Sequence, residues 1–391
     1  MSSHSTPRVR ETPYPGPPWG YLTRLAQESY FGAMPVIDAD AHVDETEATW
    51  AYIDEAYKRY TPVTVMQDPA SSGGTQPQGY NRYWCVDGRF LVRRIRDDKR
   101  TETTVVSREL LDVAARLRHM DELGIDVQVC YPTTFLLRWS PRDDIEHALR
   151  KSYNRWMADR WKLSDNRLRW VCLPPMGDMG EAVKELRFAR ENGACGLMKK
   201  GIECGGKRAG DSYFFPLYQE AAALDMAVCI HTGTGDPALT DADATILSLH
   251  NITAPVIDAF TSLVMAEVPA KFPRLRVGFI EAMASWVPFS LAELRARHER
   301  ARWLFSFDLT KNLLKESRFY VACQTVEDLP YLIQHCGEDN LVAGTDYSHA
   351  DQSAEIRTLS VLKEMGEEGF ITGRQAEKIL QDNPAALYGL S

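Results

Sequence analysis

The chain lacks the features that would tie it to a membrane, a disulfide frame or a polyanion. No window reaches the roughly 18 consecutive apolar residues of a membrane span. Among its eight cysteines (Cys85, Cys130, Cys172, Cys195, Cys204, Cys229, Cys323, Cys336) there is no CxxC pair, and several sit in apolar runs such as "WVCLPP" and "AVCIHTG". They read as buried free thiols in a reducing compartment, not as a disulfide set or a zinc ribbon. Positive charge is also short: 45 Lys and Arg stand against 54 Asp and Glu, a net charge of -9. That balance argues against a nucleic-acid partner, because phosphate contacts need clustered cations. No GxGxxG follows a strand, and there is no Walker loop or GxSxG elbow, so nothing supports nucleotide binding or a serine nucleophile.

What is present is enough apolar residue, 44% of 391, to bury a large core. Residues 1–34 are rich in Pro, Ser and Gly, with one short helical patch, "LTRLAQESYF", and read as a tail that packs or caps. The opening "MSSHSTPRVRETPYPGPPWG" has no apolar signal core, so a soluble, cytoplasmic protein without membrane contact is expected.

From residue 35 to 391, short runs rich in Val, Ile and Cys alternate with amphipathic helical segments, the pattern of parallel βα units. Eight strands are predicted, at 36–43, 127–132, 168–174, 196–200, 227–233, 276–282, 319–324 and 341–346. Between them lie helices such as "DDIEHALRKSYNRWMADRW", "MGEAVKELRFAREN" and "WVPFSLAELRARHERARW". Eight strands joined by right-handed crossovers close into an α/β fold, the (β/α)8 TIM barrel of about 250 residues. Most of the excess length falls after strand 1, at about 45–116, where "QDPASSGGTQPQGY" is loop-like and "YNRYWCVDGRFLVRRIRDD" resembles a β-hairpin. An insertion there emerges on the catalytic face, which makes it a lid rather than a separate domain.

Charged residues at the ends of barrel strands are the informative exceptions to an apolar pattern. In "VIDADAHVDE", Asp38, Asp40 and His42 alternate and share one side of strand 1. Strand 4 ends in Lys199 and Lys200, strand 5 in His231, strand 6 in Glu281 and strand 8 in Asp346, with His349 just beyond. Each alone could cap a helix or pair with an arginine. Converging on one barrel mouth, buried carboxylates and imidazoles are explained most cheaply by metal ligation.

These segments resemble the amidohydrolase superfamily, in its amidohydrolase-related branch that includes aminocarboxymuconate-semialdehyde decarboxylase and the resorcylate decarboxylases. The resemblance is carried by "VIDADAHV", "MDELGIDVQVCYPT", "AVCIHTG", "FPRLRVGFIEAMASWVPF", "GTDYSHAD" and "ILQDNPAALYGL". Two departures stand out. Strand 1 carries Asp40-Ala41-His42 where the family pattern is HxH, and strand 6 carries Glu281 where the decarboxylases offer a histidine. The resulting set of Asp40, His42, His231, Glu281, Asp346 and His349 is harder and more negative than a one-zinc site needs. Six such side chains can hold two divalent ions, with a carboxylate bridging them.

Three functions follow as expectations. One is metal-dependent hydrolysis or non-oxidative decarboxylation at one Zn or Mn, with Glu281 or Asp346 moving the proton. Another is implied by a likeness to the amidohydrolase-fold non-haem di-iron monooxygenases of platensimycin and platencin biosynthesis. Carried over, it means two Fe ions on the six residues, with Glu281, Asp346 and His349 at the reacting centre. It also brings dioxygen, an external reductant and a hydrophobic substrate such as a diterpenoid CoA thioester. This one uses both departures from the decarboxylase pattern and is placed first. The third is a non-catalytic barrel that binds a ligand at a lapsed site. Lys200 is expected to neutralise the site or contact an acidic small-molecule substrate, in preference to bridging metals as a carbamate. His250, in the loop after strand 5, is a second substrate-contact candidate. His119, His147, His298 and His335 read as surface or core-edge residues on helices, and Trp286 as packing at a βα junction. By family analogy a homo-oligomer is expected.

Overall fold

The computed structural model describes residues 34–66, 82–93, 96–233, 235, 252–304, 309, 312–349 and 354–390. Residues 1–33 and His250 lie outside the described residues.

Eight parallel strands form one sheet in sequence order: β1 Ile37–Val43, β2 Val127–Pro132, β3 Leu168–Cys172, β4 Ala194–Lys199, β5 Ala227–His231, β6 Val277–Ile280, β7 Phe319–Ala322 and β8 Leu341–Val342. The sheet closes on itself. Ala39 N donates to Ala343 O at 3.1 Å, Asp346 N to Asp40 O at 2.9 Å and His42 N to Tyr347 O at 3.1 Å, with a parallel bridge between Ala41 and Tyr347. This is the (β/α)8 barrel that the eight predicted strands require. From the third onward the predicted strands run past the observed C-terminal ends, most plainly at Glu281 and Asp346. Both residues adopt left-handed φ, 55° and 50°, and lie beyond the last residues of their regular strands, Ile280 and Val342, although Asp346 and Tyr347 still pair with β1.

The strands are buried but for the half-buried Val127 and Arg169, and helices such as Asp143–Lys162, Met179–Glu191 and Trp286–Arg300 cover them. The six cysteines that lie on or beside barrel elements are buried free thiols, while Cys85 and Cys204 are half-buried. Among the described residues no helix is long and apolar enough to cross a membrane.

The segment between β1 and β2 holds two 3₁₀ turns, Thr49–Tyr52 and Glu55–Tyr60, and an antiparallel sheet of Val63–Met66, Arg82–Val86 and Arg89–Val92. The predicted hairpin forms around Asp87-Gly88, whose φ values of 48° and 74° suit a type I′ turn. The crossover helix Val113–Leu123 follows, starting before the expected end of the insertion at 116. An aromatic cluster seats this segment on the barrel. The ring of Trp50 lies 5.8 Å from Trp84 and 4.9 Å from Trp139, and Phe135 joins Trp139 to Tyr153. Such pairs contribute roughly 0.5–1.5 kcal/mol each beyond burial. Arg100, Thr101 and Glu102 of the same segment line an open cavity together with Asp346 and His349.

Candidate metal centre

Strand β1 gives its inward face two tasks. Asp38 is bound entirely by protein: Thr345 N at 2.9 Å, Thr345 Oγ1 at 2.6 Å, Gln128 Nε2 at 2.8 Å and Asp40 N at 3.4 Å. It ties β1 to β2 and to the segment after β8, and burial pushes its carboxyl up to about 6. Asp40 and His42 instead face the barrel axis.

There the six expected donors meet in two overlapping groups. Asp40, His42, His231 and Glu281 each offer an atom within 4.8 Å of the others, and so do His42, Glu281, Asp346 and His349. His42 Nε2 lies 3.4 Å from both Asp40 Oδ1 and Asp346 Oδ1, and 3.8 Å from Glu281 Oε2. His231 Nε2 lies 3.2 Å from Glu281 Oε2 and 3.7 Å from Asp40 Oδ1, and His349 Nδ1 lies 2.6 Å from Asp346 Oδ1. All but Glu281 are at most 5% exposed.

The far side of each imidazole is engaged. His42 Nδ1 is 3.2 Å from Pro132 O, His231 Nδ1 is 3.4 Å from Thr232 O, and His349 Nε2 is 3.2 Å from Thr133 Oγ1. Such contacts fix ring orientation and leave the other nitrogen aimed at the centre. Asp40 Oδ1, His42 Nε2 and His231 Nε2 are buried without a hydrogen-bond partner among the described residues. A buried polar atom left this way costs about 1–3 kcal/mol unless something outside the protein satisfies it. A divalent cation fits the donor set, which offers oxygen and nitrogen atoms only. An imidazole nitrogen has one lone pair, so His42 serves one ion, whereas the Glu281 carboxylate can bridge two.

Burial is the largest single influence on Asp40, His42 and His231. It pushes the His231 imidazole down to about 4, which favours the neutral ligand form. At Asp40 burial is outweighed by the imidazoles of His231 and His42, which hold its carboxyl below the usual range. Across the pair the proton shifts toward His42, raised by Asp40 and Glu281 against its burial.

The two lysines at the end of β4 divide. Lys200 Nζ donates to Thr232 O at 2.7 Å beside His231, and burial pushes it down to about 7 against the opposing charges of Glu203 and Glu281. Lys199 Nζ turns to Lys200 O at 2.8 Å and Glu203 Oε2 at 3.2 Å, 3.8 Å from the Phe214 ring centroid. Trp286 packs on Phe260 and Phe279 and donates to Met283 O, as its place at a βα junction suggests. His119 lies at the core edge with Nδ1 2.7 Å from Tyr347 Oη, His147 is half-buried, His335 is exposed and His298 is buried.

Several supporting residues carried no recognisable signal in the sequence. Glu327 accepts from Ala284 N at 2.9 Å, Ser285 N at 2.7 Å, Ser285 Oγ at 2.6 Å and Gln324 N at 2.9 Å, bracing the turn that carries Glu281. Thr133 orients His349, and Arg96 of the insertion approaches Asp44 at 3.7 Å near His42. The threonine could have been suspected from its place directly after β2.

Known proteins share this architecture. The chain is similar to an amidohydrolase of Mycobacterium avium subsp. paratuberculosis at 19% identity and TM-score 0.74, over 92% of this chain and 99% of that one. It is similar to the manganese-bound 5-carboxyvanillate decarboxylase of Novosphingobium aromaticivorans at 17% identity and TM-score 0.63, covering 92% and 98%. A 2,6-dihydroxybenzoate decarboxylase from Rhizobium matches at 17% identity and TM-score 0.58, over 70% and 87%. At these identities the likeness establishes the fold. The amidohydrolase family model matches residues 37–390, from the first residue of β1 almost to the end of the chain. The chain therefore belongs to the amidohydrolase family.

Proposed function

We propose that this chain is a metal-dependent hydrolase or non-oxidative decarboxylase of a small molecule, with its cations held by Asp40, His42, His231, Glu281, Asp346 and His349. The observation that carries the reading is the meeting of these donors in two overlapping groups at the barrel mouth, joined through His42 and Glu281. When bound there, a divalent cation polarises a substrate carbonyl or carboxylate and makes a coordinated water more acidic. The chain's own groups do the rest. Lys200, at the His231 side of the centre, receives an anionic part of the substrate. Asp346 holds and returns a proton, a role supported by its 2.6 Å approach to His349 Nδ1. The insertion limits water entry over the cavity that Arg100 and Thr101 share with Asp346.

A second reading rests on a specific feature of the donors. Each group supplies two imidazoles and two carboxylates, a mixture that suits non-haem iron and the di-iron carboxylate centres of other scaffolds. On that reading two Fe ions and dioxygen support hydroxylation of a hydrophobic substrate, a CoA thioester among the candidates, with electrons from an external reductant.

Elemental analysis followed by assay separates the two. Zinc or manganese with release of carbon dioxide or a hydrolysis product supports the first. About two irons per chain, with oxygen uptake that depends on added reductant, supports the second. Protein that takes up no Zn, Mn or Fe after reconstitution sinks both.

A further inference from the structure

Arg116, in the crossover helix Val113–Leu123, is fully buried, and its position is not that of an ordinary core residue. Its Nε donates to Gln128 Oε1 at 2.7 Å, Nη1 to Ser107 O at 3.3 Å and Nη2 to His42 O at 3.2 Å. The guanidinium also lies 3.4 Å from the centroid of the Tyr347 ring. Every one of these partners is uncharged. A guanidinium is expensive to desolvate, and a methionine or leucine could fill the same space at lower cost if filling space were the whole task.

Three of these contacts lead, directly or through one further residue, to β1 and to the segment after β8, which between them carry Asp40, His42, Asp346 and His349. One is the carbonyl of His42 itself. Another is the ring of Tyr347, the residue after Asp346, whose hydroxyl is held by His119 at 2.7 Å. The third, Gln128, passes on to Asp38, which grips Thr345 just before Asp346. Across the same seam, Asp346 N donates to Asp40 O and His42 N to Tyr347 O. A single planar fork thus registers β1 against the segment after β8, behind the carboxylates of Asp40 and Asp346.

We propose that Arg116 is a positioning residue of the metal centre, setting His42 and Asp346 at the spacing that holds a cation. This rests on the metal-centre reading above. Ligand-supporting groups of this kind typically change metal affinity by about 10- to 100-fold when removed.

The test is Mn²⁺ titration of metal-free protein by electron paramagnetic resonance, with the visible spectrum of Co²⁺-loaded protein as a report on ligand geometry. Arg116→Met should bind Mn²⁺ about 10- to 100-fold more weakly and alter the Co²⁺ bands, while Arg116→Lys, which keeps charge without the fork, should fall between it and wild type. Leu332→Ala, in a buried helix position outside both donor groups, serves as a stability control and should leave both readouts unchanged. If Arg116→Met does not accumulate as folded protein, Arg116→Lys against Leu332→Ala carries the comparison. Wild-type affinity and spectrum in the Arg116 variants, or an equal loss in Leu332→Ala, overturns the proposal alone. A wild-type protein that binds no Mn²⁺ overturns the metal-centre reading and this proposal with it.

Discussion

Gly344 packs directly against Asp40: a methyl group built on it would lie 2.4 Å from the Asp40 Cβ and 2.7 Å from its main-chain nitrogen and oxygen. The barrel closes at this contact, so the residue beside the first donor has to be the smallest one. Gly344→Ala should therefore push β1 from the segment after β8, at about 1–3 kcal/mol of strain, and lower metal content as well as thermal stability. Wild-type metal content in a folded Gly344→Ala protein would show that the closure does not set the position of Asp40.

Glu281 is common to both donor groups and is the carboxylate able to bridge them. Glu281→Ala should reduce bound metal by about one ion per chain if the centre is binuclear. Unchanged metal content on elemental analysis would rule out the two-ion arrangement.

Glu327 accepts from main-chain N–H groups of the turn after Glu281 with both carboxylate oxygens, an acceptor role that an amide nitrogen cannot take. Glu327→Gln should destabilise the fold by roughly 1–3 kcal/mol, since it sets an N–H against buried N–H groups. Cation affinity should fall in parallel, because Glu281 sits at a left-handed φ that the brace helps maintain. A denaturant melt and an Mn²⁺ titration on the same sample check both effects.

Glu45 is buried against Thr134, and burial pushes its carboxyl up to about 7 from an ordinary 4.5. The folded protein then holds this proton more tightly than the unfolded chain does. Its contribution to stability is present below pH 4.5, declines as pH rises through the interval up to about 7, and is gone above it. Glu45→Gln keeps an acceptor for Thr134 and removes the titration. The variant should match wild type near pH 4.5 and exceed it by roughly 3 kcal/mol at pH 8, read from melting curves across that range. Parallel curves at all pH values would show that Glu45 does not titrate there.

Much of the barrel was legible because its signals are local. Apolar β-branched runs such as 127–132 and 227–231 mark strands wherever they pack, and the Asp87-Gly88 pair marks a hairpin turn by its own conformational preferences. The observed strands lie at each of the eight expected places, with ends displaced where donors leave the sheet. The donor residues were visible for a related reason: a charged side chain at the end of an apolar run is conspicuous without any knowledge of its partners.

What the sequence determined by itself, then, is the order of strands and the kinds of atom available at the barrel mouth, since both depend on residues close together in the chain. Tertiary structure decided the separation of Asp38, spent on Thr345 and Gln128, from Asp40, left facing the axis. It also decided which lysine lies beside His231, and it brought Arg116, Glu327 and Gly344 behind the donors. Those outcomes depend on contacts between residues tens to hundreds of positions apart, and the geometry of a closed barrel, not the neighbours in sequence, determines which of them form.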